Sequence, residues 1–116
     1  MGEIKVVSAA SAPLEKWQPE GVTIHQGDPD GRGFTLNEGE SRGAFGTGVF
    51  SCEPSQTSYE LTSNEIIYVL EGSVSIALED TEPVLIHTGD LAFLPKGHTS
   101  HWTFHSTFKE VWFLVD

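Results

Sequence analysis

Glycine and proline interrupt this chain so often that no window of about eleven residues keeps a helical apolar period. Long helices are thereby excluded. The weak candidate is a single turn over Ala12 to Gln18, with Pro13 near its start. What remains is a series of short runs rich in Val, Ile, Phe, Tyr, Trp and Thr, separated by turn residues. Two stretches show the pattern best. Glu65-Ile66-Ile67-Tyr68-Val69-Leu70 ends on the tight joint Glu71-Gly72. Leu91-Ala92-Phe93-Leu94 is bracketed by Gly89-Asp90 and Pro95-Lys96-Gly97. Glycine at such joints supplies the positive φ that closes a turn.

Strands are expected near 34–36, 43–52, 57–60, 65–70, 73–79, 83–87, 91–94, 99–105 and 108–115. Ile4 to Val7 and Val22 to His25 are two further short strands in the lead-in. Evenly spaced strands of this kind favour a sandwich or a barrel, and closure hides the edges that exposed strands would leave. The reading is therefore an all-β chain of one domain, with residues 1–33 as an N-terminal arm and lead-in and residues 34–116 as the barrel. A chain of 116 residues buries roughly two thirds of its surface and can fold without disulfides. Its single cysteine, Cys52, cannot form one within the chain and falls in an alternating run, as a buried small hydrophobe would.

Charge and hydropathy exclude several roles. Seventeen acidic residues against six Lys and Arg give a formal charge of -11, which opposes nucleic acid and anionic membranes. No apolar stretch is long enough to span a membrane. Met1 to Val7 is too short and too charged for a signal-peptide core, so the expected location is the cytoplasm.

The ordered turn motifs resemble those of the cupin superfamily. Its first motif, G-x5-H-x-H-x3,4-E-x6-G, is matched by Glu65 and Gly72. Its second, G-x5-P-x-G-x2-H-x3-N, is matched by Gly89, Pro95 and Gly97. The stretch Gly48-Val49-Phe50-Ser51-Cys52-Glu53-Pro54, together with Trp102, is similar to small single-domain cupins related to ureidoglycine aminohydrolase. The resemblance covers roughly residues 43–115. It implies a small cupin jelly-roll β-barrel (a double-stranded β-helix) and a small polar substrate bearing nitrogen or a carboxylate.

The same resemblance exposes a departure. The two histidine positions of the first motif fall on Tyr59 and Leu61, the third on Ser100, and the final Asn position on Phe104. Of the usual metal positions only Glu65 carries a strong ligand, and transition-metal sites normally need three or more. The cofactor is therefore unknown. A divalent metal would need Glu65 to be joined by His98 and His101, which straddle the third histidine position. Three residues apart on a strand, those two face opposite ways unless a bulge shifts the register. His25, His87 and His105 stand more isolated.

Alternation from Glu65 sends Ile67 and Val69 inward, alternation from Ser100 sends Trp102 and Phe104 inward, and alternation from Phe50 adds Gly48 and Cys52. The candidate pocket residues are thus Phe50, Ile67, Ser100, Trp102 and Phe104. Glu65, Tyr59 and His98 are the candidate catalytic groups. A buried, unpaired carboxylate is costly, so Glu65 would be protonated, hydrogen-bonded or met by a ligand, and a raised pKa would suit proton transfer. Arg42 and Lys96 are candidate charges at the mouth. The last run, Phe108 to Val115, is apolar at both parities and needs cover on both faces, which points to a homodimer. Three functions stay open: an enzyme acting on a small polar metabolite, a non-catalytic binding or sensing module, and a structural or protein-interaction barrel.

Overall fold

The computed structural model describes residues 2–38 and 46–115. They form two antiparallel sheets. In chain order the strands are β1 (Glu15–Lys16), β2 (Thr23–Gly27), β3 (Arg32–Asn37), β4 (Gly46–Cys52), β5 (Ser55–Glu60), β6 (Asn64–Glu71), β7 (Ser73–Leu78), β8 (Val84–His87), β9 (Leu91–Leu94), β10 (Thr99–Phe104) and β11 (Phe108–Val115). A six-stranded sheet runs β1-β3-β4-β11-β6-β9, and a five-stranded sheet runs β2-β5-β10-β7-β8. Both sheets contribute to a single hydrophobic core, with Phe50, Ile67, Val69, Leu94 and Phe108 from one and Val74, Ile76, Ile86, Trp102 and Phe104 from the other. The chain is all-β with a cupin-like arrangement of two sheets.

Side-chain alternation decides what faces the core. On β10, Ser100, Trp102 and Phe104 are buried while His101 is exposed. On β6, Glu65, Ile67 and Val69 are buried, and on β4 so are Gly48, Phe50 and Cys52. On β11 the inward set is Phe108 and Glu110, followed by the half-buried Trp112 and Leu114.

The lead-in differs from its sequence reading in two places. Ile4 to Val7 forms no strand; Ile4 and Val6 lie almost fully in solvent. Without a packed face, a four-residue apolar run has no burial to offset the entropy of ordering it. Ala12 to Gln18 contains no helical turn. Glu15 and Lys16 instead pair with Gly33 and Arg32 as β1, and the Trp17 amide donates to the Gly31 carbonyl at 2.9 Å. Here sheet pairing overrides a weak local helical preference.

Two kinds of glycine hold the architecture. Gly72 turns β6 into β7 at φ 82°, and a Cβ there would lie 2.1 Å from the Thr107 carbonyl oxygen. Gly48 has no such turn to make; a Cβ on it would lie 2.3 Å from the Phe34 carbonyl oxygen and 2.7 Å from the Trp112 ring. Gly72→Ala combines left-handed strain with a backbone collision that cannot relax by side-chain rotation. It is expected to cost roughly 2–4 kcal/mol. Urea denaturation of the two proteins measures it, and a loss below about 1 kcal/mol would contradict this packing.

Candidate functional site

A cavity of about 570 Å³ opens between the sheets. Its inner wall is built by strand alternation. Phe50 comes from β4, Tyr59 from β5, Glu65 from β6, Trp102 and Phe104 from β10, and Glu110 and Trp112 from β11. The lead-in adds wall from Trp17 to Val22, and the end of β5 with its connection to β6 adds Glu60 to Ser63.

The aromatic residues fall into two groups. Trp17 stacks on Trp112, with ring centres 6.3 Å apart and planes 15° apart, and meets the edge of Phe50 at 5.9 Å. Tyr59 stacks on Trp102 at 6.0 Å, and Trp102 on Phe104 at 5.7 Å. Glycines make room for the first group. A Cβ on Gly33 would lie 2.5 Å from the Trp17 ring, and one on Gly48 would strike Trp112. Ser100 fixes the second. Its hydroxyl donates to the Tyr59 carbonyl at 2.8 Å and accepts from Trp102 Nε1 at 2.8 Å.

Two carboxyls face this aromatic cavity. Glu65 is 5 % exposed and Glu110 is 3 % exposed. The Tyr59 hydroxyl donates to Glu65 Oε1 in a short hydrogen bond. Glu110 Oε1 finds no partner among the described residues, nor does Trp112 Nε1. Burial pushes the Glu65 carboxyl up to about 7, against the opposing effect of the Tyr59 hydrogen bond. Burial, and then the nearby charge of Glu65, pushes Glu110 well above the ordinary carboxylate range. Tyr59 is driven upward by burial and by Glu65, so its phenol stays protonated and acts as a donor. The Cys52 thiol is likewise pushed upward, by burial first and by Glu110 and Glu53 next, which leaves it unreactive.

The sequence candidates separate into distinct places. Glu65, Tyr59, Phe50, Trp102 and Phe104 converge on the cavity. Ile67 lies in the core and Ser100 beneath the aromatic wall, and neither lines it. His98 turns instead to Glu79, with Nδ1 2.5 Å from Oε1, and His101 is exposed with its ring 6.4 Å from that of His25. The backbone NH of Lys96 donates to Asn64 Oδ1 at 2.9 Å, outside the cavity. Arg42 lies outside the described residues. Glu110 and Trp17 are the additions. Glu110 has the parity of Trp112 and Leu114 on β11, the signal that could have found it; Trp17 had no such cue.

A metal does not fit this donor set. Among the described residues no three His, Cys, Asp or Glu side chains group closely enough to hold an ion. Glu65 does not meet His98 or His101, and the motif's three histidine positions hold Tyr59, Leu61 and Ser100. The donors that do converge are two carboxyls, both driven towards the neutral form, and a phenol that keeps its proton.

The family model described as EutQ-like cupin domain matches residues 34–112. No curated protein matches the chain. Among solved structures, the chain is similar to a putative ethanolamine utilization protein Q from Salmonella typhimurium LT2, at 21% identity over 97% of this chain and 85% of that one, with a TM-score of 0.73. It is similar to the EutQ protein of Clostridium difficile at 22% identity over 73% of this chain and 67% of that one, with a TM-score of 0.64. A DUF861 family protein from Thermotoga maritima shares 30% identity over 57% of this chain and 75% of that one, with a TM-score of 0.55.

The raised carboxyl of Glu65 makes stability depend on pH. Between about 4.5 and about 7 the folded protein keeps a proton that the unfolded chain has lost. Stability from this group is therefore full below about 4.5 and falls by roughly 3 kcal/mol as pH rises to 7. Glu110 acts in the same direction. Glu65→Gln should flatten that slope, and Tyr59→Phe, which removes the donor that holds Glu65 down, should extend it. Urea midpoints across pH 4–8 provide the measurement; a wild-type midpoint that rises over this range would contradict the assignment.

Proposed function

This chain is a divergent member of the EutQ-like cupin family, and we propose that it binds a small organic molecule in the cavity between its sheets. The observation that carries this reading is Glu110. Glu110 lines the cavity, its side chain is buried and its Oε1 has no partner among the described residues, and such an oxygen is costly unless a ligand meets it. A cavity of about 570 Å³ walled by aromatic rings with a few convergent polar groups has the size and chemistry of a ligand site. In this reading the two sheets act as a jelly-roll barrel and the lead-in from Trp17 to Val22 closes one side.

Catalysis is the second reading, and Glu65 favours it. A carboxyl brought to about 7 beside a phenol donor can give and take a proton near neutral pH. Glu65 would then be the proton-transfer group and Tyr59 its positioning donor. His98, engaged with Glu79, takes no part in this version.

The expected assembly is a homodimer through the outer face of the six-stranded sheet. Two apolar rows cross that face in register: Phe113, Ile66 and Phe93, and beside them Val111, Tyr68 and Leu91. Leu91 is 71% exposed and Phe93 is 61% exposed in the single chain. A contiguous apolar face of this kind is a recognised mark of an interface. Sedimentation at micromolar concentration should give a dimer. Phe93→Glu should give a monomer with the fold intact, because a solvent-facing substitution changes chain stability by only about 0.5 kcal/mol. A wild-type monomer, or a dimer untouched by the substitution, would refute this face.

The pocket itself is tested by thermal shift and tryptophan emission with small cations, anions and neutral molecules. All three tryptophans line the cavity, so occupancy should alter emission directly. At saturating concentration at least one class should raise the melting temperature by several degrees. No response from any class would defeat both binding and catalysis in the cavity and leave the structural role.

A further inference from the structure

The cavity's charge and wall chemistry specify its ligand class. Resting on the ligand-pocket reading above, we propose that the cavity takes a protonated organic amine, with its N–H groups on Glu110 and Glu65 and its carbon skeleton against the aromatic wall.

Three independent features converge on a cation. First, four glutamates line the cavity, Glu20, Glu60, Glu65 and Glu110, and no Lys, Arg or His does among the described residues. An anionic ligand would find no counter-charge on this wall, whereas a cation would find carboxyls able to meet it. Of the two substrate classes that the sequence left open, nitrogen-bearing and carboxylate-bearing, the lining therefore favours the first. Second, the walls present indole and phenyl rings in two clusters, and such rings attract a desolvated cation through their quadrupoles. Third, Glu110 is 3% exposed, its Oε1 has no partner among the described residues, and as a carboxylate it is an acceptor. An acceptor is met by an N–H or O–H donor, and an ammonium N–H makes the stronger, charge-assisted bond.

These features also set the details of recognition. Glu65 already accepts from Tyr59, which leaves its second oxygen for the ligand. Trp112 Nε1, the other unpaired polar atom, is a donor on the same wall. A ligand that carries an ammonium and, a few bonds away, a hydroxyl or carbonyl oxygen would meet both. An N–H is required at Glu110, so a primary or secondary ammonium fits where a quaternary one lacks the donor.

A matched set of probes separates charge from shape. Benzylammonium, benzyl alcohol, benzoate and benzyltrimethylammonium share one ring and differ at the head group. Each is titrated at pH 7.5 against the full-length protein, with tryptophan emission as the readout. Benzylammonium is expected to bind at least tenfold more tightly than benzyl alcohol, with benzoate the weakest and benzyltrimethylammonium weaker than the primary amine. Glu110→Gln keeps the shape of the site and replaces the carboxyl with a neutral group of the same size, so it should fold. It is expected to lose the preference for benzylammonium over benzyl alcohol, with the larger loss of affinity falling on the ammonium. Equal or tighter binding of the alcohol or the benzoate overturns the cation assignment and leaves a pocket of another specificity. Preference for the ammonium that survives Glu110→Gln overturns the role of Glu110. Equal binding of the quaternary probe overturns the N–H requirement. Silence from all four probes overturns the amine proposal, and silence extended to every class in the wider panel overturns the pocket with it.

Discussion

A carboxyl group placed inside a protein must be neutral, paired or met by a ligand, and two of them placed side by side sharpen that demand. Glu65 and Glu110 share the inward face of the six-stranded sheet, and each is almost wholly removed from solvent. Glu65 reaches a phenol donor; Glu110 Oε1 has no partner among the described residues. Leaving a buried group unmet costs about 1–3 kcal/mol, more if it is charged. A packed core has no reason to keep such a pair when aliphatic residues of similar volume would remove the cost. The pair is intelligible as equipment for a ligand, and the surrounding rings and glutamates describe what that ligand must be.

The aromatic wall depends on backbone choices made some distance away in sequence. Trp17 belongs to the lead-in, yet its amide is held by Gly31, and its ring lies over Gly33 in space that any Cβ would occupy. Trp112 occupies the equivalent space over Gly48. Two glycine-bearing segments, residues 31–33 and the stretch around Gly48, thus admit two indoles that stack on each other and close one side of the cavity. On the other side, Ser100 accepts the indole hydrogen of Trp102 and so satisfies a polar group that would otherwise be buried without a partner. The position that holds a metal-binding histidine in the wider superfamily's motif serves here to orient a ring.

Alternation made most of this architecture legible. The runs of β4, β6 and β10 carried their inward sets on a strict period of two, and burial follows it at Phe50, Cys52, Glu65, Ile67, Val69, Ser100, Trp102 and Phe104. Gly72, Gly89 and Gly97 do adopt positive φ where turns were expected. Less was legible where tertiary contacts decide the outcome. Glu15 and Lys16 pair because β3 offers an edge, not because their own side chains favour a strand. Trp17 reaches the cavity only through that pairing. Glu110 was within reach of the same parity argument as Trp112, but a lone acidic residue in an apolar strand reads more naturally as facing water.

The replaced histidines also bear on how chemistry at this site would differ from metal-assisted chemistry. Leu61 is tied into the turn before β10, its amide donating to the His98 carbonyl and its carbonyl accepting from the Gly97 amide, each at 2.8 Å. Tyr59 donates to Glu65. The former ligand positions are thus bound into packing and into a proton-rich contact, both of which lack the open coordination that a Lewis acid uses. A pair of carboxyls with raised pKa values is instead suited to holding protons when the cavity is empty and releasing them to solvent when a cation arrives. Binding and deprotonation would then be one linked event, in which the ligand's charge offsets the burial that favours the neutral forms of Glu65 and Glu110 and, at Glu110, the added charge of Glu65.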